Sequence, residues 1–131
     1  MTPEGMSVLE SRFGPTETRD RLVAAISAHG MAVMAHIDHA EAAAKVGLEL
    51  RPTEVFLFGN PRGGTPLMQA AQTVGIDLPL KALIWQDADG KTWLGYNRPD
   101  WIISRHDAVG VQTAGMQAAL ADVAAAATGH T

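Results

Sequence analysis

The chain has no cysteine. That removes disulfides, thiolate metal centres and cysteine nucleophiles, and it gives no support for secretion. Aromatic residues make up only 5% of the sequence. No apolar run approaches the roughly 18 residues that span a bilayer. The stretch before Phe13 has neither a basic region nor a long apolar segment, so no signal peptide is expected. Basic residues are scattered and the net charge is −4, which points away from nucleic acid and anionic membranes as partners. A soluble cytoplasmic protein is the resulting expectation. At 131 residues the chain fits one domain, residues 1–131, large enough to bury roughly two-thirds of its unfolded surface.

What is present is densest between Glu54 and Arg98. Val55-Phe56-Leu57-Phe58 is a run of four apolar residues bounded by breakers, the pattern of a central strand covered on both faces. Gly59-Asn60-Pro61 ends it. Thr65-Pro66 has the form of a helix start, a capping hydroxyl before a proline, and predicts a helix over 65–74 buried through Leu67, Ala71 and Val74. Residues 80–86 and 92–96 read as strands, joined through Asp87-Ala88-Asp89-Gly90 as a hairpin.

Upstream, residues 7–13 suit a first strand. A helix from Pro15 to about His29 follows, with Leu22, Ala25 and Ile26 on its apolar stripe. Met31 to Ile37 alternates as a strand with Met31, Val33, Ala35 and Ile37 on one face. Asp38 and Glu41 have capping-box spacing before a short helix, 39–46. Downstream, a short helical turn runs from Pro99 to Arg105. A last helix spans 112–127, with Met116, Leu120, Val123 and Ala127 on one side. The order β-α-β-α-β-α-β-β-α predicts an α+β fold: one mixed five-stranded sheet with helices mainly on one face.

Chemistry is harder to read. Gly59, Gly63, Gly64 and Thr65 approach a phosphate-binding loop, but threonine stands where the lysine is needed and Pro66 removes an N–H donor. His36, Asp38 and His39 are metal-binding types, yet a strand residue and a helix-opening residue need not converge. No zinc or iron centre is expected there, and Asp38 reads as a helix cap. Arg105-His106-Asp107 has proton-shuttling types, but neighbours in sequence rarely face each other. Trp85 and Trp93 sit where they can pair across the hairpin, with a pocket or subunit interface as the alternatives.

The segment from His36 to His106 resembles the domain-of-unknown-function 302 family of small bacterial and archaeal proteins. The resemblance rests on Phe58-Gly59-Asn60-Pro61, Gly64-Thr65-Pro66-Leu67-Met68, Gly75-Ile76-Asp77-Leu78-Pro79-Leu80-Lys81 and Gly95-Tyr96-Asn97 ahead of Pro99. Ile37-Asp38-His39-Ala40 and Gly47-Leu48 fit as well. The family-like core covers about 6–110. The resemblance implies a compact α+β domain that tends to self-associate; it supplies no established activity, so no catalytic residue is carried over and the cofactor is unknown.

Three functions compete. The first is a small-molecule binding or sensing module with a cleft formed by Asn60, Thr65, Met68, Asp77, Lys81 and Tyr96. The second is an enzyme using His36 or His106 with Asp77 and Lys81. The third is a structural homodimer without a ligand. The absence of a nucleophile or metal set favours the first and third.

Overall fold

The computed structural model describes residues 2–108 and 110–130. Its sheet has five strands: β1 (Met6–Glu10), β2 (Ala32–Asp38), β3 (Thr53–Gly59), β4 (Leu80–Gln86) and β5 (Thr92–Asn97). They lie in the order β1-β5-β4-β3-β2. The fold is the α+β class expected, but all four pairings are antiparallel rather than mixed. A parallel return needs a crossover element that runs back along the sheet. Here α2 (His39–Ala44) is only six residues long. The next connection, α3 (Pro61–Ala70) with a 3-10 turn at Gln72–Ile76, buries its apolar residues in a separate cluster instead of running back along the sheet.

Two helices, α1 (Pro15–Ala28) and α5 (Ala114–Thr128), cover one face. Alternation along the strands selects what meets them. Phe56 and Phe58, Leu80, Ala82 and Ile84, and Leu94 and Tyr96 join Leu22 and Ile26 of α1 with Leu120, Val123 and Ala127 of α5 in the main core. The period-two strand pattern and the three-to-four helix pattern thus point the same residues inward. The opposite face stays half-covered, so Val55 and Leu57 remain half-buried rather than enclosed. Trp85 and Trp93 are paired across the hairpin. Gly95 lies beneath this face, where a Cβ would come within 2.6 Å of Met6 Cε and 3.2 Å of the Trp85 ring. The hairpin turn is closed by Asp87, which accepts from the Trp93 indole at 2.8 Å and from the Asp89 and Lys91 amides. The indole bond, followed by those amide bonds and the Lys91 charge, holds the Asp87 carboxyl below its usual range despite an opposing desolvation effect.

A smaller core forms from α3, the 3-10 turn and α4 (Pro99–Arg105), around Leu67, Val74 and Ile102 with Ala108. Leu67 and Val74 are buried as expected, but in this cluster. The helix also starts earlier than Thr65-Pro66 suggests. Asn60 is its cap, its Oδ1 accepting from the Arg62 amide at 2.9 Å, and Pro61 takes the first helical position. Pro66 therefore lies inside the helix. Asn-Pro and Thr-Pro are both cap-plus-proline pairs, and the first in sequence prevails. Strand β2 departs from simple alternation too. Its register with β3 shifts between Val33 and Ala35, leaving Met34 as an extra residue.

Candidate functional site

Where β3 ends and α3 begins, the chain leaves a cleft of about 260 Å³. Gly59, Asn60 and Pro61 form one wall, and Gly64, Thr65 and Met68 of α3 form the next. Gly75, Leu78, Pro79 and Leu80 close the far side as the chain enters β4. Met34 reaches in from β2 and Met116 from the first turn of α5. The bulge explains Met34: an extra residue re-aims its side chain, which here lies over Gly59, its Cε 3.9 Å from where a Cβ would stand. No acidic, basic or histidine side chain lines the cleft. Its polar side chains are Asn60 and Thr65. Asn60 is already committed in part, because its Oδ1 caps α3 and its Nδ2 donates to the Gly30 carbonyl at 3.2 Å.

Of the six ligand-binding candidates, Asn60, Thr65 and Met68 come together here. The other three lie elsewhere. Tyr96 is buried in the main core. Lys81 sits on β4 opposite Leu57, and its ammonium donates to the Pro79 carbonyl at 3.3 Å. Asp77 turns toward α4. Both its oxygens accept from Arg105 Nη1, at 2.8 and 2.7 Å, and Oδ2 also accepts from His106 Nε2 at 2.5 Å. Asp77 and Lys81, set together in both the cleft and the enzyme readings, are therefore apart, and Asp77 pairs with Arg105 and His106.

That second cluster has a definite electrostatic logic. Burial pushes the Asp77 carboxyl up, but the His106 and Arg105 hydrogen bonds and charges outweigh it and hold the group below its usual range. An ionised carboxylate only accepts, so His106 Nε2 carries the shared proton. The other ring nitrogen meets the Thr73 hydroxyl at 2.9 Å. Hydroxyl, imidazole and carboxylate thus lie in the sequence used by nucleophilic triads. The cleft at Asn60 is not lined by Thr73 or His106. The cluster joins the 3-10 turn to the end of α4, tying together the two sides of the smaller core. His106 thus meets Asp77, 29 residues away and the carboxylate that the enzyme reading set with it, rather than its neighbour Asp107; Lys81, the third member of that reading, bonds the Pro79 carbonyl instead.

His36 stacks on Phe56 with ring centroids 4.4 Å apart and bonds to Glu54, which also faces Arg19 of α1 at 3.8 Å. Asp38 caps α2 by accepting from the Glu41 amide at 2.9 Å. Among the described residues, no three histidine or acidic side chains converge as a metal centre.

A third feature is the surface around β2 and α2. Val33, Met34, Ile37, Val46, Leu48 and Leu50 are six of the eight large hydrophobic residues exposed among the described residues. Beside α2, Leu48 and Leu50 help to line an open groove of about 560 Å³.

Residues 8–127 match the family described as "Domain of unknown function DUF302", and the chain belongs to that family. It is 46% identical over 102 residues to the protein named "Fluoride-specific ion channel FluC 1" of Brucella suis biovar 1, a match covering 78% of this chain and 40% of that protein. The same identity and length hold for the protein of that name from Brucella abortus biovar 1, of which 38% is covered. The chain therefore spans about two-fifths of the length of these curated relatives. A crystal structure of an uncharacterized conserved DUF302 protein from Bacillus stearothermophilus superposes with a TM-score of 0.77 at 21% identity, over 98% of each chain. This likeness concerns the fold. Among the described residues no helix is long and apolar enough to cross a membrane.

Proposed function

We infer that the chain is a small-molecule binding or sensing module whose ligand occupies the cleft at the Gly59–Thr65 loop. The observation that carries this is the lining. Apolar walls with a few placed polar groups are the usual construction of small-molecule sites, whose volumes start near ~300 Å³. At about 260 Å³ this one suits a small ligand. Its walls hold no charged side chain, and a charged organic group would be desolvated there without a partner. The fitting ligand is neutral over most of its surface, with one polar atom for Thr65 or Asn60.

The channel relatives support a sensing role. In them the part like this chain is about two-fifths of the protein, and the other three-fifths is further sequence. An open five-stranded sheet with two edges and no membrane-length helix among the described residues is not a conduit. We assign ion passage in those relatives to the remainder, and a control role to the part like this chain. A cytoplasmic location goes with this reading.

A thermal-shift screen with neutral fragments tests it. A ligand at 100 times its dissociation constant adds about 2.7 kcal/mol. Met68→Trp should fill the cleft and remove the shift while the variant remains folded. A library that stabilises neither protein, or both equally, overturns the proposal.

A second reading, the homodimer, is favoured by the β2 surface. Edge strand β2 carries no proline or lysine to discourage pairing, and exposed edges recruit other strands. Two copies would pair β2 with β2 about a twofold axis, burying at least ~1,000 Å² if stable. Light scattering should give about twice the 13.9 kDa of one chain, and Ile37→Lys should return it to one. A wild-type monomer at micromolar concentration refutes the pairing.

A further inference from the structure

We propose that the cleft takes a soft monovalent metal ion, Cu(I) or its surrogate Ag(I), on the thioether sulfurs of Met34, Met68 and Met116. This rests on reading the cleft as a ligand site and assigns it a second class of ligand beside the neutral molecule, a cation whose charge is met by sulfur donors.

Three of the six methionines of the chain line this one cleft. They arrive from three separate elements, β2, α3 and α5; Met68 and Met116 also pack against the smaller core, and Met116 against the main one. Each approaches a glycine. Met68 Sδ and Met116 Cε lie 3.5 Å from where Cβ atoms on Gly75 and Gly63 would stand, and Met34 Cε lies 3.9 Å from that of Gly59. At these distances the methionines pack directly over glycine backbone; Gly59 and Gly75 line the cleft with them, whereas Gly63 lies on an adjoining groove that Met116 also lines. Unbranched thioethers with three rotatable bonds can re-aim from such positions. Met34 is also 52% exposed and belongs to neither core cluster. Filling the core does not explain a bulge that turns this residue over the cleft mouth.

The donor set decides the ion. Thioethers are soft and neutral, and they select Cu(I) over hard cations, which take oxygen ligands. The lining has no carboxylate or imidazole and the chain has no thiolate, so zinc finds none of its usual ligands; calcium, which needs about six to eight oxygens, meets one side-chain amide oxygen that already caps α3. A single positive charge is also less costly to desolvate than a double one in a cleft without anions. The exposed Met34 gives an arriving ion its first sulfur. Binding and release leave the oxidation state of the ion unchanged.

The test uses the full chain with methyl-labelled methionine, titrated with silver nitrate in chloride-free buffer. The Met34, Met68 and Met116 methyl signals should shift and saturate at one equivalent, with Met6 and Met31 unmoved and zinc without effect. Met34→Leu alone, at an exposed position, should weaken Ag(I) binding at least tenfold. The Met34→Leu/Met68→Leu/Met116→Leu variant keeps apolar volume, as such swaps are well tolerated. It should lose Ag(I) binding yet retain any neutral-fragment thermal shift. Unmoved signals at one equivalent, or equal Ag(I) affinity in the leucine variants, overturn the inference. If fragments still bind in that event, only the metal assignment falls; if neither binds, the cleft reading falls with it.

Discussion

Replacing Asp77 by alanine should cost stability in a pH-dependent way. The side chain is 14% exposed and its partner His106 is 9% exposed, so that hydrogen bond is shielded from water. A hydrogen bond to a charged group contributes about 1.5–3 kcal/mol. Arg105 is half-exposed, so its pair is screened and adds at most about 1 kcal/mol. The expected loss near pH 7 is about 2–3 kcal/mol, or roughly 6–12 °C in Tm for a chain of this size. The sign with pH follows from the lowered Asp77 pKa. A carboxyl with a depressed folded-state pKa stabilises fully above its unfolded value, about 3.9, and loses that contribution as pH falls through the folded value. The gap between wild type and Asp77→Ala should therefore be constant from pH 7 to about 5 and narrow below 4. Urea unfolding across pH 3–7 measures it. A loss under about 0.5 kcal/mol at pH 7, or a gap that does not narrow in acid, refutes the reasoning.

Four further substitutions probe the packing and the α3 cap. Phe58→Ala opens a cavity at a fully buried site of the main core and should cost about 3–5 kcal/mol in chemical denaturation. Gly5→Ala puts a Cβ 2.3 Å from the Trp101 indole at a φ of +83° and should cost at least ~2 kcal/mol, combining backbone strain with overpacking. Gly90→Ala, with φ +81° but open space around it, should cost only about 1 kcal/mol, and equal losses at the two sites would contradict the packing argument. Asn60→Ala removes the α3 cap and should cost about 0.5–2 kcal/mol, read from the same unfolding curves.

Much of the fold was legible because local patterns and tertiary packing agree. Pro15, Asp38, Pro99 and Gly90 each stand where helix starts and a turn require them, and Leu80, Ala82 and Ile84 alternate inward as one strand face. The α3 boundary was misread because Asn60-Pro61 and Thr65-Pro66 offer the same local signal. Position decides between them: Asn60 sits at the end of β3, where its side chain also reaches the Gly30 carbonyl. Strand direction was legible only for β4 and β5, whose short turn makes them antiparallel, and not for the other pairs. It depends on whether a connecting helix runs back along the sheet or stays at its end, and α3 stays because Leu67 and Val74 are buried with Ile102.

The site was half-legible for a related reason. Asn60, Thr65 and Met68 lie within one strand-to-helix passage, so sequence proximity implies spatial proximity. Asp77 and Lys81 are also close in sequence, but Asp77 ends the 3-10 turn while Lys81 points outward from β4 on the face opposite Ala82, and the chain separates them. Met34 and Met116 did not stand out as lining residues of the candidate site, because the bulge at Met34 is not visible in the alternation of β2 and Met116 belongs to an apolar helix stripe. The signal that could have found Met34 is energetic rather than periodic. In an edge strand, an extra residue costs little ladder bonding and can be accommodated as a bulge, whereas the same insertion in β4, paired on both sides, would disrupt two ladders. A cleft lined from β2 is therefore adjustable by single-residue changes at that edge, while its β3 and β4 walls are fixed by the core behind them.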